Sequence, residues 1–524
     1  MDIVQKIRER KTSLGIEFGS TRIKAVLIDD SFTPVASGSY TWENKLENGF
    51  WTYSLDEIHK GLKSCYADLK KDVSEKYGET LTGFGSMGIS AMMHGYMPFD
   101  AEGNLLVPFR TWRNTTTEQA SAELSQLFRF NIPQRWTISH LYQAILDKEP
   151  HLAQLEYVMT LSEYIHYLLT GTKIAGVGEA SGMFPVSDCQ YDKRMVADFE
   201  RLIADKGYNF KIGKIFPEIR KAGESEAILT ESGALILDES GDLLSGIPVC
   251  APEGDAGTGM VATNSVKSGT GNVSAGTSIF AMLVLDKALD NYYDEIDMVT
   301  TPDGLPVAMV HCNNCCSELD AWINLFSDFC RVAGIEKDKS ELYEILYKNT
   351  LNAPSDCSGV TAYNFISGEP VVKAEDGRPM YFRNADTTLD TASFFRAQLY
   401  SSMASLKIGM DMLFEKEAVK AELFSAHGGL FKVEGVAQQY LADGLGTPVA
   451  VMKTAGEGGA WGMAVLAAYL QESDISLPEF LQNRVFAEME SSVVAPDKDG
   501  TDGFNEFINR YKSGLSAEKI LGEI

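Results

Sequence analysis

A carboxylate near the start of the chain stands two positions before a turn of small residues. In the segment IEFGSTRIK these residues are Glu17, Gly19, Ser20, Thr21 and, further on, Lys24. Consecutive small residues expose backbone N–H groups, which can cradle an anion. A neighbouring carboxylate can hold a magnesium ion through its waters. Ordinary hairpins carry the same pattern, so alone it indicates either an anion site or a plain turn.

A second carboxylate lies among small residues in the segment APEGDAGTGM, where Asp255 follows Gly254. We expect residues 247–251 to form a short buried strand, and binding sites in open α/β sheets lie beyond the carboxyl ends of strands. Small neighbours allow a substrate to approach the carboxylate closely. Asp255 can therefore serve as a general base for a hydroxyl proton, or it can be a simple turn residue.

Weaker candidates come from three other patterns. His94 ends an apolar segment in SAMMHGY, where a structural histidine is the alternative to a ligand contact. Trp112 in PFRTWRN can line a pocket or simply pack. Glycine pairs at 428–429 and 458–459 precede predicted helices, whose N-termini can receive a nucleotide, although such pairs are also plain turns.

A cysteine cluster occurs in the segment HCNNCCSE, which contains Cys312, Cys315 and Cys316 beside His311. The functional interpretation is a zinc or redox site. A structural zinc site normally uses two ligand pairs separated by a spacer, and no second pair is found. The pattern therefore favours three small buried residues near the start of a helix.

The first half of the chain carries the elements that must position these residues. Alternating apolar residues predict a hairpin over 14–28, with the Gly-Ser-Thr turn at its tip. Ser54 and Glu57 form a capping box that predicts an amphipathic helix over 55–77. A strand over 83–92 leads to His94, and helical patterns recur at about 118–130, 140–147 and 162–169.

The second half has a similar arrangement. The segment SGTGNVSAGTSIFAMLVL predicts two strands around the small residues 276–278, which echoes the first hairpin. Helical patterns cover about 317–333, 392–414 and 433–444, and a glycine-rich loop leads into a helix near 454–470. We place a domain boundary near 262–268, which divides the chain into domains 1–264 and 265–524. The acidic segment after about 472 receives no assignment.

Composition excludes several classes of protein. The 524 residues suit two domains, and 46 basic against 73 acidic residues give a net charge of −27, which argues against a nucleic-acid partner. The chain lacks the G-x-x-x-x-G-K-[ST] phosphate loop, so it is not an ordinary loop-type NTPase. It also lacks the H-E-x-x-H metal motif and the G-x-S-x-G nucleophile elbow. No apolar run approaches the ~20 residues of a membrane helix, and the charged N-terminus lacks a secretory signal, so we expect a cytoplasmic protein without a membrane partner.

In their order and spacing, these segments resemble the FGGY family of carbohydrate kinases from about residue 13 to residue 470. The resemblance implies an α/β fold with two actin-like, ribonuclease-H-like ATPase domains around a central cleft. It makes IEFGSTRIK the first phosphate motif, with Glu17 near magnesium. It also implies the following roles: sugar contacts at Met93, His94 and Trp112, the catalytic base at Asp255, the second phosphate motif at Gly276, Thr277 and Ser278, and adenosine contacts at Gly428, Gly429, Gly458 and Gly459.

The implied activity is the ATP- and Mg²⁺-dependent phosphorylation of a ketose at its terminal hydroxyl, and the Met-His segment favours a ketopentose, xylulose or ribulose. Asp255 would take the hydroxyl proton and would also lie near magnesium through water. Two departures stand out: the family usually has Asp where this chain has Glu17, and an acidic residue where it has Asn114. They support the alternative of a non-catalytic sugar or nucleotide binder, or a chaperone-like ATPase, on the same fold. A homodimer is one oligomeric state to test.

Overall fold

A computed structural model describes residues 1–452, 458–472, 474–489 and 491–522. The chain forms two compact units. Unit 1 comprises Met1–Val266, Met298–Val307 and Thr454–Met489, and unit 2 comprises Lys267–Asp297, Ala308–Lys453 and Glu490–Ile524. No helix in the described ranges is both long and apolar enough to cross a membrane.

The strands, in chain order, are β1 Thr12–Phe18, β2 Arg22–Asp29, β3 Pro34–Thr41, β4 Lys45–Glu47, β5 Phe50–Thr52, β6 Ser86–Ala91, β7 Met97–Phe99, β8 Tyr157–Met159, β9 Ile174–Gly176, β10 Val186–Ser187, β11 Gln190–Tyr191, β12 Glu218–Arg220, β13 Glu253–Gly254, β14 Thr270–Ala275, β15 Ile279–Val284, β16 Asp297–Thr300, β17 Pro306–Cys312, β18 Thr361–Tyr363, β19 Met380–Phe382, β20 Leu423–Gly428, β21 Val449–Met452 and β22 Ser491–Val494.

The helices are α1 Ile3–Arg8, α2 Leu55–Tyr77, α3 Glu118–Phe128, α4 Thr137–Leu146, α5 Leu161–Thr170, α6 Val177–Ser181, α7 Lys193–Ala204, α8 Ile212–Ile215, α9 Glu231–Leu237, α10 Asp255–Ala262, α11 Ser317–Val332, α12 Lys339–Asn349, α13 Thr391–Asp411, α14 Val436–Leu445, α15 Gly458–Tyr469, α16 Leu477–Phe480 and α17 Lys498–Gly522.

Unit 1 is built on a five-stranded sheet with the order β13-β6-β1-β2-β3. The predicted hairpin is present: β1 and β2 pair antiparallel, and β6 pairs parallel with β1 on its other side. Leu14, Ile16 and Phe18 of β1 are fully buried. Helix α15 packs closely on this strand, because a Cβ at Gly15 would lie 2.1 Å from the carbonyl oxygen of Ala460. Glycine at this position therefore allows the start of α15 to lie directly against β1.

Unit 2 contains a sheet in which β17, β15, β14, β20, β21 and β22 follow one another. Its central hairpin repeats the arrangement of unit 1, since β14 pairs antiparallel with β15 and parallel with β20. The segment after 472, which received no assignment, contributes β22 and α17 in this unit. Phe504, Phe507 and Tyr511 of α17 are buried, so this helix is part of the unit's core.

The expected strand over 247–251 is wrong. Val249 forms only an isolated bridge to Met87 of β6, and Pro248 forms one to Ile228; the regular strand on this side of β6 is β13. Pro248 has no backbone N–H to donate, which limits ladder formation there. The helix over 55–77 agrees with α2, which ends at a left-handed Gly78.

The two compact units are not continuous segments of the chain. The first break falls after Val266, but Met298–Val307 and Thr454–Met489 return to unit 1. Helices α15 and α16 therefore belong with the first hairpin, although a division into 1–264 and 265–524 groups them with the second. The reason is the close packing of α15 on β1 and α10, through Gly15 and Gly462.

Candidate active site

Asp255 is the first residue of helix α10 and follows directly on strand β13. Its Oδ1 accepts a hydrogen bond of 3.1 Å from the backbone N–H of Met93, just beyond the end of β6. A carboxylate at a helix N-terminus is stabilised by the helix dipole. Asp255 thus lies neither in a loose turn nor after a strand over 247–251. It is fixed by two elements at the same edge of the sheet.

Asp255 is exposed as a residue, yet the protein atoms that crowd around its carboxylate alter its proton affinity. Burial of the carboxylate among protein atoms raises its pKa, and hydrogen bonds from the backbone of Met93 and Ala256 oppose that rise. A carboxylate with a raised pKa is a stronger base than one in water, provided that it remains ionised.

His94 lies beside Asp255's partner Met93 and is held in an unusual backbone conformation. Its φ is +73°, which is a strained value for a residue other than glycine. The ring is buried, lies near parallel to Trp136 at 6.1 Å, and its Nδ1 is 3.1 Å from the carbonyl oxygen of Gly182. A carbonyl only accepts, so Nδ1 carries the proton and Nε2 is the acceptor. Burial holds the pKa of His94 well below its usual value, so the ring is neutral.

Glu17 lies at the N-terminus of helix α15. A Cβ at Gly459 would be 2.2 Å from Glu17 Oε1, and the backbone of Ala460 donates a hydrogen bond to the carboxylate. Burial and the charge of Asp255 raise the pKa of Glu17 to about 7, whereas Lys24, its neighbour across the hairpin, acts in the opposite direction. Glu17, Asp255 and Gly459 are therefore brought together within unit 1.

The first small-residue turn has its carbonyl groups held by aromatic side chains. Trp42 Nε1 donates to the carbonyl of Gly19 at 2.7 Å, and the Tyr53 hydroxyl donates to that of Ser20 at 2.6 Å. Trp112, which is 40% exposed, donates from Nε1 to Ser20 Oγ at 3.2 Å. In the described part of the chain, no backbone carbonyl accepts from the amides of Ser20 or Thr21. These amides are available to an anion.

The second small-residue turn belongs to unit 2 and joins β14 to β15. Gly276 N donates to the carbonyl of Ser278 at 2.9 Å, and the backbone amides of Cys315 and Cys316 donate to the carbonyls of Thr277 and Gly276 at 2.9 and 3.1 Å. A Cβ at Gly276 would meet nothing within 4 Å. The turn thus has an open face.

The glycine pair 428–429 ends the strand next to this turn. Gly428 has a φ of +112°, and a Cβ there would lie 2.1 Å from the carbonyl oxygen of Ala275. Only glycine fits this conformation and this approach. A Cβ at Gly429, in contrast, would meet nothing within 4 Å. The structure therefore brings Gly428 and Gly429 to the end of β14, in unit 2. Gly458 and Gly459, the other predicted adenosine contacts, lie in unit 1 beside Glu17.

Asn114 does not present its amide to a ligand. The side chain is buried, accepts from Trp51 N at 2.8 Å and donates to the carbonyl groups of Trp51 and Thr111, both at 2.9 Å. Both donor hydrogens are used within the protein, so Asn114 holds strand β5 to the loop that carries Trp112. This departure from the family pattern is explained by local structure.

Sequence reasoning missed three buried acids behind Asp255: Glu163, Glu179 and Glu253. Glu253 accepts hydrogen bonds from the backbone N–H groups of Gly178 and Glu179, both at 3.0 Å. Burial raises the pKa of Glu253 to about 7 and that of Glu163 to about 8. The signal for Glu253 was its place two residues before Asp255. The other two carried none, because only the fold brings them near.

The residues present suit a magnesium ion shared with a substrate better than a protein-only metal site. Among the described residues, no group of three or more His, Cys, Asp or Glu side chains could hold a metal ion. Glu17 and Asp255 are nevertheless close enough for the charge of one to raise the pKa of the other. Magnesium takes one or two carboxylates, keeps several waters and binds substrate phosphates, which fits this pair.

Comparisons with known proteins agree with this arrangement. The N-terminal domain model of the FGGY family of carbohydrate kinases matches residues 12–262, and its C-terminal domain model matches 271–470. The xylulose kinase of Haemophilus influenzae is 21% identical over an alignment of 526 positions, which covers 96% of this chain and 99% of that protein.

Two solved structures from Lactobacillus acidophilus show the same fold. A ligand-bound xylulose kinase has a TM-score of 0.78 at 16% identity, and a gluconate kinase has a TM-score of 0.77 at 16% identity. Each comparison covers 97% of this chain and 98% of the other. The expected actin-like, ribonuclease-H-like fold is thereby confirmed, and the chain belongs to the FGGY family of carbohydrate kinases.

Proposed function

We propose that this protein transfers the γ-phosphate of ATP to the terminal hydroxyl of a ketopentose, xylulose or ribulose, with Asp255 as the general base. The observation that carries the proposal is the hydrogen bond from Met93 N–H to Asp255 Oδ1. It fixes a solvent-reachable carboxylate beside His94 in a chain that belongs to a carbohydrate kinase family.

The proposed reaction begins with the sugar hydroxyl next to Asp255. The carboxylate takes the hydroxyl proton, the oxygen attacks the γ-phosphorus, and ADP leaves. Because one Asp255 oxygen is held by Met93 N–H, the carboxylate is oriented before the substrate arrives. The neutral His94 offers Nε2 as an acceptor for a second sugar hydroxyl, and Trp112 offers its half-exposed ring as an apolar wall. Both contacts position the sugar.

Phosphate binding falls to the backbone of the two turns. The amides at Gly19, Ser20 and Thr21 and those at Gly276, Thr277 and Ser278 are the proposed donors to phosphate oxygens, with Lys24 adding a positive charge. Magnesium, held through water by Glu17 and Asp255, would neutralise the charge on the β- and γ-phosphates. Gly428, Gly429, Gly458 and Gly459 are the proposed adenosine contacts.

The substrate is the least constrained part of the proposal. A relative that spans nearly the whole chain is a xylulose kinase, which favours a ketopentose. A gluconate kinase, however, matches the fold as well as a xylulose kinase does. One fold can host several substrates, so the choice must be measured.

The decisive experiment is ADP release from Mg²⁺-ATP with a panel of both enantiomers of xylulose and ribulose, ketohexoses, deoxyketoses, glycerol and gluconate. We expect kcat/KM for one ketopentose to exceed the others by at least about tenfold. A strong preference for gluconate or glycerol would keep the kinase and reject the ketopentose. ATP binding with no turnover on any sugar would leave a non-catalytic binder, and sugar-independent ATP hydrolysis would leave a chaperone-like ATPase.

A matched pair of glycine variants separates phosphate binding from folding. Gly276→Ala adds a methyl group where nothing lies within 4 Å, so we expect unchanged thermal stability and a raised KM for ATP. Gly49→Ala, on the loop between β4 and β5 of unit 1, meets no neighbour either and serves as the control for KM, although its φ of +85° makes the variant less stable. A cytoplasmic location and a homodimer stay predictions, to be checked by cell fractionation and analytical ultracentrifugation.

A further inference from the structure

Two adjacent thiols lie at the start of helix α11 in unit 2, next to the turn that joins β14 and β15. Cys315 Sγ and Cys316 Sγ are 3.6 Å apart. Cys315 is buried, whereas Cys316 is partly exposed. The two sulfur atoms are therefore close enough to react with each other, and Cys316 can be reached from solvent.

The peptide bond between these cysteines is fixed at both of its polar atoms. Its N–H, on Cys316, donates to the carbonyl of Gly276 at 3.1 Å, and its C=O, on Cys315, accepts from Asn364 Nδ2 at 3.0 Å. The preceding amide, on Cys315, donates to the carbonyl of Thr277 at 2.9 Å. The shape of the turn at Gly276 and Thr277 thus depends directly on the orientation of this peptide.

A disulfide between neighbours cannot form without moving that peptide. Consecutive Cα atoms are about 3.8 Å apart across a trans peptide. Disulfides usually join Cα atoms about 4.4 to 6.8 Å apart, so a bridge between neighbours is strained. The strain must rotate the peptide between Cys315 and Cys316, which pulls its N–H away from Gly276. A strained bridge is also readily reduced, which makes the change reversible.

We propose that Cys315 and Cys316 form a vicinal dithiol that small-molecule disulfides oxidise, and that closure of the bridge disrupts the turn at Gly276–Ser278. Formation of the bridge stands on its own; its effect on ATP binding rests on the proposed function of that turn. The site also has the chemistry to capture trivalent arsenicals, which bind two neighbouring thiols.

The exchange proceeds in two steps that balance. The thiolate of Cys316, the exposed member, attacks one sulfur of the small disulfide RSSR, which gives a mixed disulfide and releases RS⁻. Cys315 then loses its proton to solvent and its sulfur attacks Cys316 Sγ, which releases the second RS⁻. In sum, two protein thiols are oxidised to one disulfide and RSSR is reduced to two RSH.

Burial explains why Cys316 reacts first and why Cys312, the third thiol of the cluster, does not take part in the exchange. The pKa of Cys315 is raised well above its usual value, first by its hydrogen bond with Cys316 and then by burial, and burial does the same for Cys312. Cys312 is fully buried at the end of β17. Within the described residues the cluster does not form a metal site.

The test exposes the full-length protein to excess oxidised glutathione and maps the products by mass spectrometry. We expect a peptide containing Cys315 and Cys316 that has lost two hydrogen atoms, faster hydrogen exchange at the amides of both cysteines, and recovery with dithiothreitol. Binding of ATP should weaken by about tenfold, as expected when turn-shaping hydrogen bonds are lost. Cys316→Ser should resist all of these changes.

Cys330→Ser is the matched control, because Cys330 is another partly exposed thiol on the same helix α11. It should behave as the wild type does. The proposal is overturned if both Cys315 and Cys316 can still be alkylated after oxidation, if the bridge forms to Cys312 instead, or if the bridge forms while exchange at the two amides is unchanged. A bridge with faster exchange but unchanged ATP binding would uphold the dithiol site and reject the turn's role in binding phosphate.

Discussion

The two central hairpins of the molecule share one frame and differ in what holds their turns. Strands β1 and β2 have β6 as their parallel neighbour, and β14 and β15 have β20 in the same position. Each turn begins with a glycine whose amide closes the hairpin, onto Arg22 in unit 1 and onto Ser278 in unit 2. The frame therefore places a small-residue turn at the end of the central hairpin in both units, although the last paired residues are Phe18 and Ile23 in unit 1 and Ala275 and Ile279 in unit 2.

The carbonyl groups of the two turns have different donors. In unit 1 the donors are the side chains of Trp42 and Tyr53, whereas in unit 2 they are the backbone amides of Cys315 and Cys316. An ordinary side-chain substitution removes a donor of the first kind. A donor of the second kind is lost only through a change of the backbone, such as a proline substitution or a movement of the chain.

The strands leading into the turns also differ in charge. Two residues before the turn glycine, unit 1 has Glu17, with Asp255 nearby, and unit 2 has the uncharged Ser274. This difference teaches that a repeated hairpin frame need not repeat the side-chain chemistry. Unit 1 carries the acids that we propose for proton transfer and cation binding, whereas the turn of unit 2 has no acid at the corresponding position and is proposed to bind phosphate through its backbone.

The largest effect should come from removing the base of unit 1. Asp255→Asn keeps the shape and the hydrogen bond from Met93 N–H but cannot take a proton, so kcat should fall by about 10²- to 10⁴-fold. Stopped-flow or coupled ADP assays measure this loss, and circular dichroism checks the fold. Ser274→Ala in unit 2 is the control and should leave kcat nearly unchanged. A near-normal kcat in Asp255→Asn would remove the base from unit 1 and with it the proposed division of roles.

The second prediction compares the effect on stability of substituting two glycines, one with close neighbours and one without. A Cβ at Gly459 would lie 2.2 Å from Glu17 Oε1, and one at Gly429 would meet nothing within 4 Å. Gly459→Ala should therefore lower the free energy of unfolding by about 1–3 kcal/mol through overpacking. Gly429→Ala should change it by less than about 0.5 kcal/mol. Equal melting temperatures for the two variants would mean that Glu17 does not depend on the start of α15.

Much of the frame, but less of the site, could be predicted from sequence. The hairpin at 14–28 and helix α2 followed from alternation, helical spacing and the Ser54 capping box, which are local signals. The strand expected at 247–251 is reduced to isolated bridges, because Pro248 lacks an N–H and the bridge partners, Met87 and Ile228, are set by the fold rather than by local sequence. The return of α15 to unit 1 could not be foreseen either, since the clue is the space around Gly15 rather than any motif.

A third test uses pH, because only the hairpin of unit 1 carries a buried acid. The folded protein raises the pKa of Glu17 from 4.5 to about 7, so it holds the proton more tightly than the unfolded chain. The contribution of Glu17 to stability is therefore greatest at low pH and is lost as pH rises through about 7. The side chain introduced by Glu17→Gln cannot ionise, so the stability of this variant should not fall with rising pH for this reason.

The measurement is urea unfolding of the wild type and Glu17→Gln between about pH 5 and pH 8. We expect the variant to gain stability relative to the wild type as pH rises, because the wild type then carries a second negative charge near Asp255. Glu422→Gln removes an exposed carboxylate of unit 2 and is the control. A stability difference between the wild type and Glu17→Gln that does not vary with pH would contradict the assigned proton affinity.

The smallest effect concerns a side-chain hydrogen-bond donor to the turn of unit 1, the hydroxyl of Tyr53. Tyr53→Phe removes the hydroxyl that donates to the Ser20 carbonyl at 2.6 Å and keeps the ring stacked on Trp42 at 4.0 Å. The lost hydrogen bond should cost about 0.5–1.5 kcal/mol of stability and raise KM for ATP by no more than about tenfold, with kcat nearly unchanged. Tyr77→Phe, which removes a hydroxyl bonded to Val35 far from the turn, should affect stability alone. If both variants leave KM unchanged, the side-chain donors do not shape the turn for phosphate, and the two hairpins differ only in their acids.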